Sequence, residues 1–303
     1  MIFHDFFGSY LYRFLNNKIK KILYNIDPKI EIIRTYKKAF GKTPNLKEPS
    51  DLIEKIYYME LNHDLSLWTK CSDKYRMRDY IEQKGLSQYL PQLLAVWNSP
   101  DEIDFTDLQD PFVIKLNNGC GDCLVVKDKS LVNKEQIRRY FKKQLKIHIG
   151  YDNSQTHYLN IKPCIIAEEL LVQDEMFDKV SPRSLVDFKF WAFRGNVESC
   201  FVAYERNGHY LNMDLKNLNW QSMPQYMKPN YMLKYNSSVS IPKPKCFDEM
   251  IHIASVLSEE FPEVRIDLYS CNGKPVIGEM TFSSGYGYFT HDYYKYLGEK
   301  VIL

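Results

Sequence analysis

The stretch "EVRIDLYSCNGKPVIGEMTF", Glu263 to Phe282, reads as two β-rich runs on either side of Asn272-Gly273. Asn-Gly between runs of this kind is a strong hairpin signal, because both central residues of a type I′ turn need positive φ. Alternate residues of a strand share a face, so Arg265 and Asp267 point together. Asp267 stands five residues before Asn272 and Glu279 six after Gly273, nearly opposite each other across the hairpin. Like charges so placed repel. A Mg²⁺ ion held by these carboxylates and by substrate phosphates would remove that cost. The alternative is a solvated sheet face laced with ion pairs.

Working outward, charged residues recur inside other apolar runs. Lys115 stands near the end of "FVIKL", and Asp187 and Lys189 alternate in "DFKFWAFRG". A strand rarely buries such groups without partners, since desolvating an unpaired charge costs several kcal/mol. "DFKFWAFRG" and "ESCFVAYER" predict a second hairpin around Gly195-Asn196. "FVIKL" and "CLVVK" predict short strands, "CIIAEELLV" a buried one, and "KEQIRRYFKKQL" and "CFDEMIHIASVLSEEF" helices. Upstream the chain reads helical to about residue 110: "PSDLIEKIYYMELN" opens on Pro-Ser, and "SDKYRMRDYIEQKG" has cap candidates Ser72 and Asp73 and a stop at Gly85. Antiparallel hairpins mixed with helices predict an α+β chain, not a doubly wound dinucleotide fold.

Composition excludes several classes. With 303 residues, 45% of them hydrophobic, only 14 Pro and 13 Gly, and no low-complexity tract, the chain can bury a large core in two or three subdomains. A formal charge of +2 lacks the basic footprint of a nucleic-acid binder. Seven scattered cysteines predict reduced thiols in a cytoplasmic protein rather than a disulfide framework. No run approaches the roughly 20 apolar residues of a membrane span. Arg13, Lys18, Lys20 and Lys21 interrupt the apolar N-terminus and argue against a signal peptide. Those cations alternate with Phe3, Phe6, Phe7, Tyr10, Leu11, Phe14, Ile19, Ile22 and Leu23 at helical spacing. Such a helix docks on the protein's own core, the ordinary case, or lies through residues 1–25 on the inner face of an anionic membrane.

The loop "NNGCGDC", Asn117 to Cys123, contains a CxxC, yet no second Cys or His pair stands at ligand spacing and zinc wants four ligands. No Gly-x-Ser-x-Gly occurs, and none of the seven histidines forms a His-x-x-x-His pair.

Taken in order, "CSDKYRMRDYIEQKG", "PFVIKLNNGCGDCLVVKDK", "KPCIIAEELL", "LVDFKFWAFRG" and "EVRIDLYSCNGKPVIGEMTFSSGYGY" resemble the motifs of the ATP-grasp superfamily. In particular they resemble those of the TupA-like ATP-grasp proteins of bacterial surface polysaccharide gene clusters, over about Leu52 to Tyr288. The resemblance implies an ATP-grasp fold, two α+β subdomains gripping ATP, divided here as a helical region 1–72, an N-terminal part 73–167 and a C-terminal part 168–303.

The resemblance also implies roles. Lys74 and Lys115 would grip the ATP phosphates under a loop containing Asn118, Gly119, Cys120 and Gly121. Glu168, Glu169 and Leu170 would form the adenine hinge, and Asp187 would hold the ribose. Arg265 would stabilise the developing acyl-phosphate and Lys189 would reach phosphate or substrate, with Asp267 and Glu279 on Mg²⁺. The family's usual Glu-x-Asn reads Glu279-Met280-Thr281 here, so the third metal ligand would be the Thr281 hydroxyl or a water. Arg206, Ser283, Ser284 and Gly285 would meet the substrate.

A carboxylate acylates an amine only once one oxygen becomes a leaving group, and phosphorylation by ATP supplies one. The expected activity is therefore an ATP- and Mg²⁺-dependent carboxylate–amine ligase acting on a uronic acid of a capsule or other surface polysaccharide precursor, with a small amine as co-substrate. Trp68, Trp97, Trp191 and Trp220 are candidate stacking platforms for sugar rings. A sugar kinase would use the same metal hairpin. A glycosyltransferase of the same pathway often carries Asp-x-Asp, which does not occur, and a non-catalytic nucleotide-binding scaffold sits poorly with so complete a set of phosphate and metal residues.

Overall fold

The Asn272-Gly273 hairpin forms. Cys271 pairs with Lys274, and the two turn residues take φ of 53° and 72°. The computed structural model describes residues 6–119, 123–208, 210–228, 233–284 and 287–303. Cys120, Gly121 and Gly285, all expected at the site, lie outside these residues.

The N-terminal half contains α1 (Phe6–Ile26), α2 (Lys29–Phe40), α3 (Leu52–Asn62), α4 (Ser66–Ser72), α5 (Met77–Gln83), β1 (Leu93–Trp97), β2 (Phe112–Leu116), β3 (Cys123–Val126), α6 (Lys134–Gln144), α7 (Thr156–Leu159) and β4 (Ile165–Glu169). There follow β5 (Asp187–Phe193), β6 (Asn196–Asn207), β7 (Tyr210–Lys216), β8 (Leu233–Lys234), α8 (Phe247–Ser258), β9 (Val264–Cys271), β10 (Lys274–Thr281) and α9 (His291–Lys300). The α+β reading holds.

The chain divides into two units. The first takes Met1–Pro44, Asp64–Tyr75 and Gln92–Leu170; the second takes Asn45–His63, Arg76–Pro91 and Leu171–Leu303. The divisions expected at 72 and 167 differ from this because the helical N-terminal region serves both units. Helix α3 packs on α9, at the other end of the chain. Lys55 Nζ donates to Gly298 O and Val301 O, each at 2.8 Å, and a side chain at Gly298 would strike the backbone of Ser50 and Asp51. Asp51 caps α3 in a capping box with Glu54, satisfying donors that a helix start leaves open.

In the first unit a four-stranded antiparallel sheet runs β1-β4-β2-β3. Strand β2 alternates: Phe112, Ile114 and Leu116 are buried with Ile137 and Phe141 of α6, while Val113 and Lys115 take the other face. The second unit has a six-stranded sheet, β10-β9-β5-β6-β7-β8, antiparallel except for β7–β8. Phe188, Phe190, Ile266 and Leu268 form one face of it, and Phe190 meets Phe247 of α8.

Three local expectations shift. The β5–β6 turn centres on Arg194-Gly195, one residue earlier than expected, since Phe193 pairs with Asn196 and both turn residues have positive φ. The helix expected from Ser72 or Asp73 begins only at Met77, as α5; Ser72 instead ends the preceding α4, and between the two the Asp73 carboxylate accepts from Tyr75 N at 2.9 Å. A bulge between Ile277 and Glu279 breaks the regular β9–β10 pairing at Gly278.

Candidate active site

In the second unit, strand pairing aligns the charged residues. Lys189 lies opposite Asp267, Asp267 opposite Glu279, and Arg265 opposite Thr281, so all five share one face with Asp187. The count of five residues on one side of the turn and six on the other closes through the bulge. Gly278 permits it: a Cβ there would stand 2.6 Å from the Tyr269 ring and 3.3 Å from Asp267 O.

Arg265 grips Asp267 with two prongs, Nε to Oδ1 at 2.6 Å and Nη2 to Oδ2 at 2.8 Å. Its Nη2 also donates to Thr281 Oγ1 at 3.1 Å, and Nη1 reaches Ser284 Oγ at 3.5 Å. Lys189 Nζ bridges Asp187 and Asp267. Thr281 Oγ1 donates to Glu279 Oε1 at 3.4 Å. Three carboxylates thus gather around two cations, an imbalance that favours a further positive charge.

Burial penalises the charges on Asp187, Lys189, Arg265 and Asp267. For Asp187 it wins, and the carboxyl is raised above its ordinary range despite Lys189, with Asp267 adding to the rise. For Asp267 the nearby Arg265 and Lys189 outweigh burial and hold it low. For Lys189 the two aspartates outweigh burial and keep the ammonium charged. Asp187, Ser184, Ala203, Arg206 and Tyr269 line a cavity of about 200 Å³, so Arg206 and Asp187 meet at one place. Ser283 Oγ donates to Glu60 Oε1 at 2.7 Å, a partner the sequence did not signal.

The donor set suits Mg²⁺. Asp267 and Glu279 are hard oxygen donors on facing positions, with the Thr281 hydroxyl beside Glu279. A Mg²⁺ ion is ordinarily held by one or two carboxylates with waters and phosphates completing its shell. Among the described residues no three His, Cys, Asp or Glu side chains form a cage of their own, so such an ion would depend on those outside ligands.

In the first unit Lys74 follows α4. Its N donates to Asn117 O and its Nζ to Gly119 O, both at 2.9 Å, which ties the lysine to the main chain of the loop after β2. Asn117 anchors that loop: fully buried, it accepts from Cys164 N at 2.8 Å and donates to Lys162 O at 3.0 Å. Asn118 and Gly119 follow directly. Lys115 pairs with the buried Glu168. Glu169 Oε1 accepts from Gln92 N at 2.7 Å. Both carboxylates of the segment expected to form the hinge are therefore engaged inside the unit. The Glu168 pairing had a signal in the sequence, a carboxylate inside the apolar "CIIAEE". Cys123 opens β3 opposite Lys115, exposed and unlinked.

A family model described as TupA-like ATPgrasp matches residues 54–302. The chain belongs to the TupA-like ATP-grasp family. No curated protein matches it.

Among solved structures, the D-alanine–D-alanine ligase of Bacillus anthracis complexed with ATP is 12% identical, with a TM-score of 0.46 over 90% of this chain and 81% of that one. Another structure of the same ligase gives 14%, 0.37, 70% and 57%. N5-carboxyaminoimidazole ribonucleotide synthetase from Thermus thermophilus gives 9%, 0.40, 76% and 51%. This TupA-like chain thus spans only about half the length of some of the structures it matches. Its assignment rests on the family match. Thr281, where the resemblance implies an Asn, hydrogen-bonds to both Arg265 and Glu279.

Proposed function

We propose that the protein is an ATP- and Mg²⁺-dependent carboxylate–amine ligase. The observation that carries this reading is the facing pair Asp267 and Glu279 beside the Arg265–Asp267 fork, an arrangement that suits a divalent cation carrying phosphates more than a closed ion pair. Bound Mg²⁺ would neutralise phosphate charge at Asp267 and Glu279. Arg265 and Lys189 add positive charge where negative charge builds, and electrostatics of this kind supply most of phosphoryl-transfer catalysis. Lys74 and Lys115 would hold the ATP phosphates, and Asp187, above its cavity, the ribose.

In the reaction, a substrate carboxylate oxygen attacks the γ-phosphorus, the bond to the β-phosphate oxygen breaks, and ADP leaves. A neutral amine then attacks the acyl carbon, the C–O bond to phosphate breaks, and the amine sheds its proton as the amide forms. No covalent enzyme nucleophile is required. We assign the acid to the uronic acids of surface polysaccharide precursors, with Arg206, Ser283, Ser284 and Gly285 on the substrate side, because the TupA-like resemblance implies it.

The test is ADP and phosphate release from the purified protein with ATP and Mg²⁺, using glucuronic and galacturonic acids, free or nucleotide-linked, against a panel of amines, with products weighed. An acid- and amine-dependent ADP signal with an amide mass is expected. ADP with a phosphorylated sugar would replace the ligase with a kinase. Release of a nucleoside diphosphate from a nucleotide sugar without ATP would replace it with a glycosyltransferase.

A further inference from the structure

Helix α1 is mounted the wrong way round for a helix that exists to fill a core. Its polar side faces the protein. Asn17 Nδ2 donates to His148 O at 2.8 Å and its Oδ1 accepts from His148 N at 3.1 Å. Lys20 Nζ donates to Asp152 Oδ1 at 2.8 Å, and Tyr24 Oη donates to Thr156 Oγ1 at 3.3 Å. On the opposite side Leu11, Leu15, Ile19, Ile22 and Ile26 are 47%, 52%, 57%, 61% and 70% exposed. At 3.6 residues per turn these five fall within an arc of about 80°. An amphipathic helix ordinarily buries that stripe.

Charge selects the occupant. From Phe6 to Ile26 there is no acidic residue, against Arg13, Lys18, Lys20 and Lys21. Lys18, at the edge of the stripe, and Lys21 are exposed, standing 5.3 Å over Phe14 and 5.8 Å over Tyr151. A second copy of this chain would set basic helix against basic helix with no acid on either to answer. An anionic bilayer accepts the aliphatic stripe below its headgroups and the lysines among them. No helix among the described residues is long and apolar enough to cross a membrane, so the fitting geometry is parallel to the surface.

We propose that α1 is an interfacial anchor that lays its Leu11–Ile26 stripe on an anionic lipid surface. The test is co-sedimentation of the full chain with vesicles of phosphatidylcholine, alone or mixed with phosphatidylglycerol. The expected result is binding to the mixed vesicles, at least tenfold weaker on phosphatidylcholine alone, weakened by salt, and reduced at least tenfold by Ile19→Glu with Ile22→Glu at an unchanged Tm. No binding to the mixed vesicles, or binding that the double substitution leaves intact, would overturn the proposal. A concentration-dependent dimer in light scattering that the same substitutions abolish would give the stripe to a second copy and overturn it as well. None of these readouts involves catalysis, so the anchor and the ligase stand or fall separately.

Discussion

The six-stranded sheet carries the pattern Asp-x-Lys twice, once on each face, and the two copies have different surroundings. Asp214 and Lys216 of β7 are buried on the face that also carries Phe188 and Phe190. Lys216 Nζ and Ser222 Oγ each donate to Asp214 Oδ2 at 2.8 Å, and the Trp220 ring, packed on Phe247 of α8, lies 5.4 Å from the ammonium. One charge answers one charge. Asp187 and Lys189 of β5 open instead onto Asp267, Arg265 and Glu279, where three carboxylates face two cations. The difference lies in the neighbours that strand pairing supplies, not in the dipeptide spacing. A balanced buried pair adds structure, whereas an unbalanced cluster has charge left for a ligand.

The largest expected effect falls on the unbalanced face. Glu279→Gln should cost roughly 10²–10³-fold in ATP turnover with an unchanged circular dichroism spectrum. Turnover at the parent level would reduce that face to another structural network. The balanced pair should behave in the opposite way. Lys216→Met strands a buried Asp214 and should destabilise the fold by about 3–5 kcal/mol in urea titration, while activity per folded molecule persists; a stable but inactive variant would move Asp214 and Lys216 into the active site.

A third carboxylate sharpens the contrast through pH. Glu263 is fully buried just before β9, neither oxygen has a hydrogen-bond partner, and burial pushes its carboxyl well above the usual range although Arg265 pulls the other way. The folded state thus holds a proton that the unfolded chain has released, and stability falls as pH rises from the ordinary carboxylate range toward the raised folded value. Glu263→Gln removes that slope, so its Tm advantage over the parent should widen between pH 5 and pH 8. A pH-independent difference would show that Glu263 is ionised and paired. The smallest effect is expected at the loop thiols. Cys120→Ser with Cys123→Ser should leave turnover within about twofold, the sequence reading being that both are small loop or strand residues; total loss in a folded variant would revive a metal or redox role for the CxxC.

Much of this architecture was legible in short-range signals. Asn272-Gly273 predicted its turn because only a few residues tolerate positive φ, the β5–β6 hairpin followed from alternation, and β2 and β3 were legible as strands though not as a pair. The family followed from the order of five motifs. Long-range partners were not legible. Nothing in "PSDLIEKIYYMELN" says that it packs on a helix more than 200 residues away, so the interleaving of the two units was missed. The Asp214 and Lys216 pair was missed because "YLNMDLK" looks the same whether its charges face solvent or a core. The N-terminal helix was read correctly as amphipathic, but periodicity does not reveal which side docks.

The bulge at Gly278 also sets what the chain can tolerate in evolution. A strand alternates faces, so its function depends on whether a count is odd or even. Without Gly278, Ile277 would still oppose Leu268 and the next residue, Glu279, would still meet Asp267, now in a straight strand. One residue more beside the bulge would turn the glutamate to the face under α8, or, absorbed into a straight strand, would carry it past Asp267 to Arg265. Shortening this strand is therefore survivable where lengthening it is not, and the metal-binding reading of the hairpin survives length variation in one direction only.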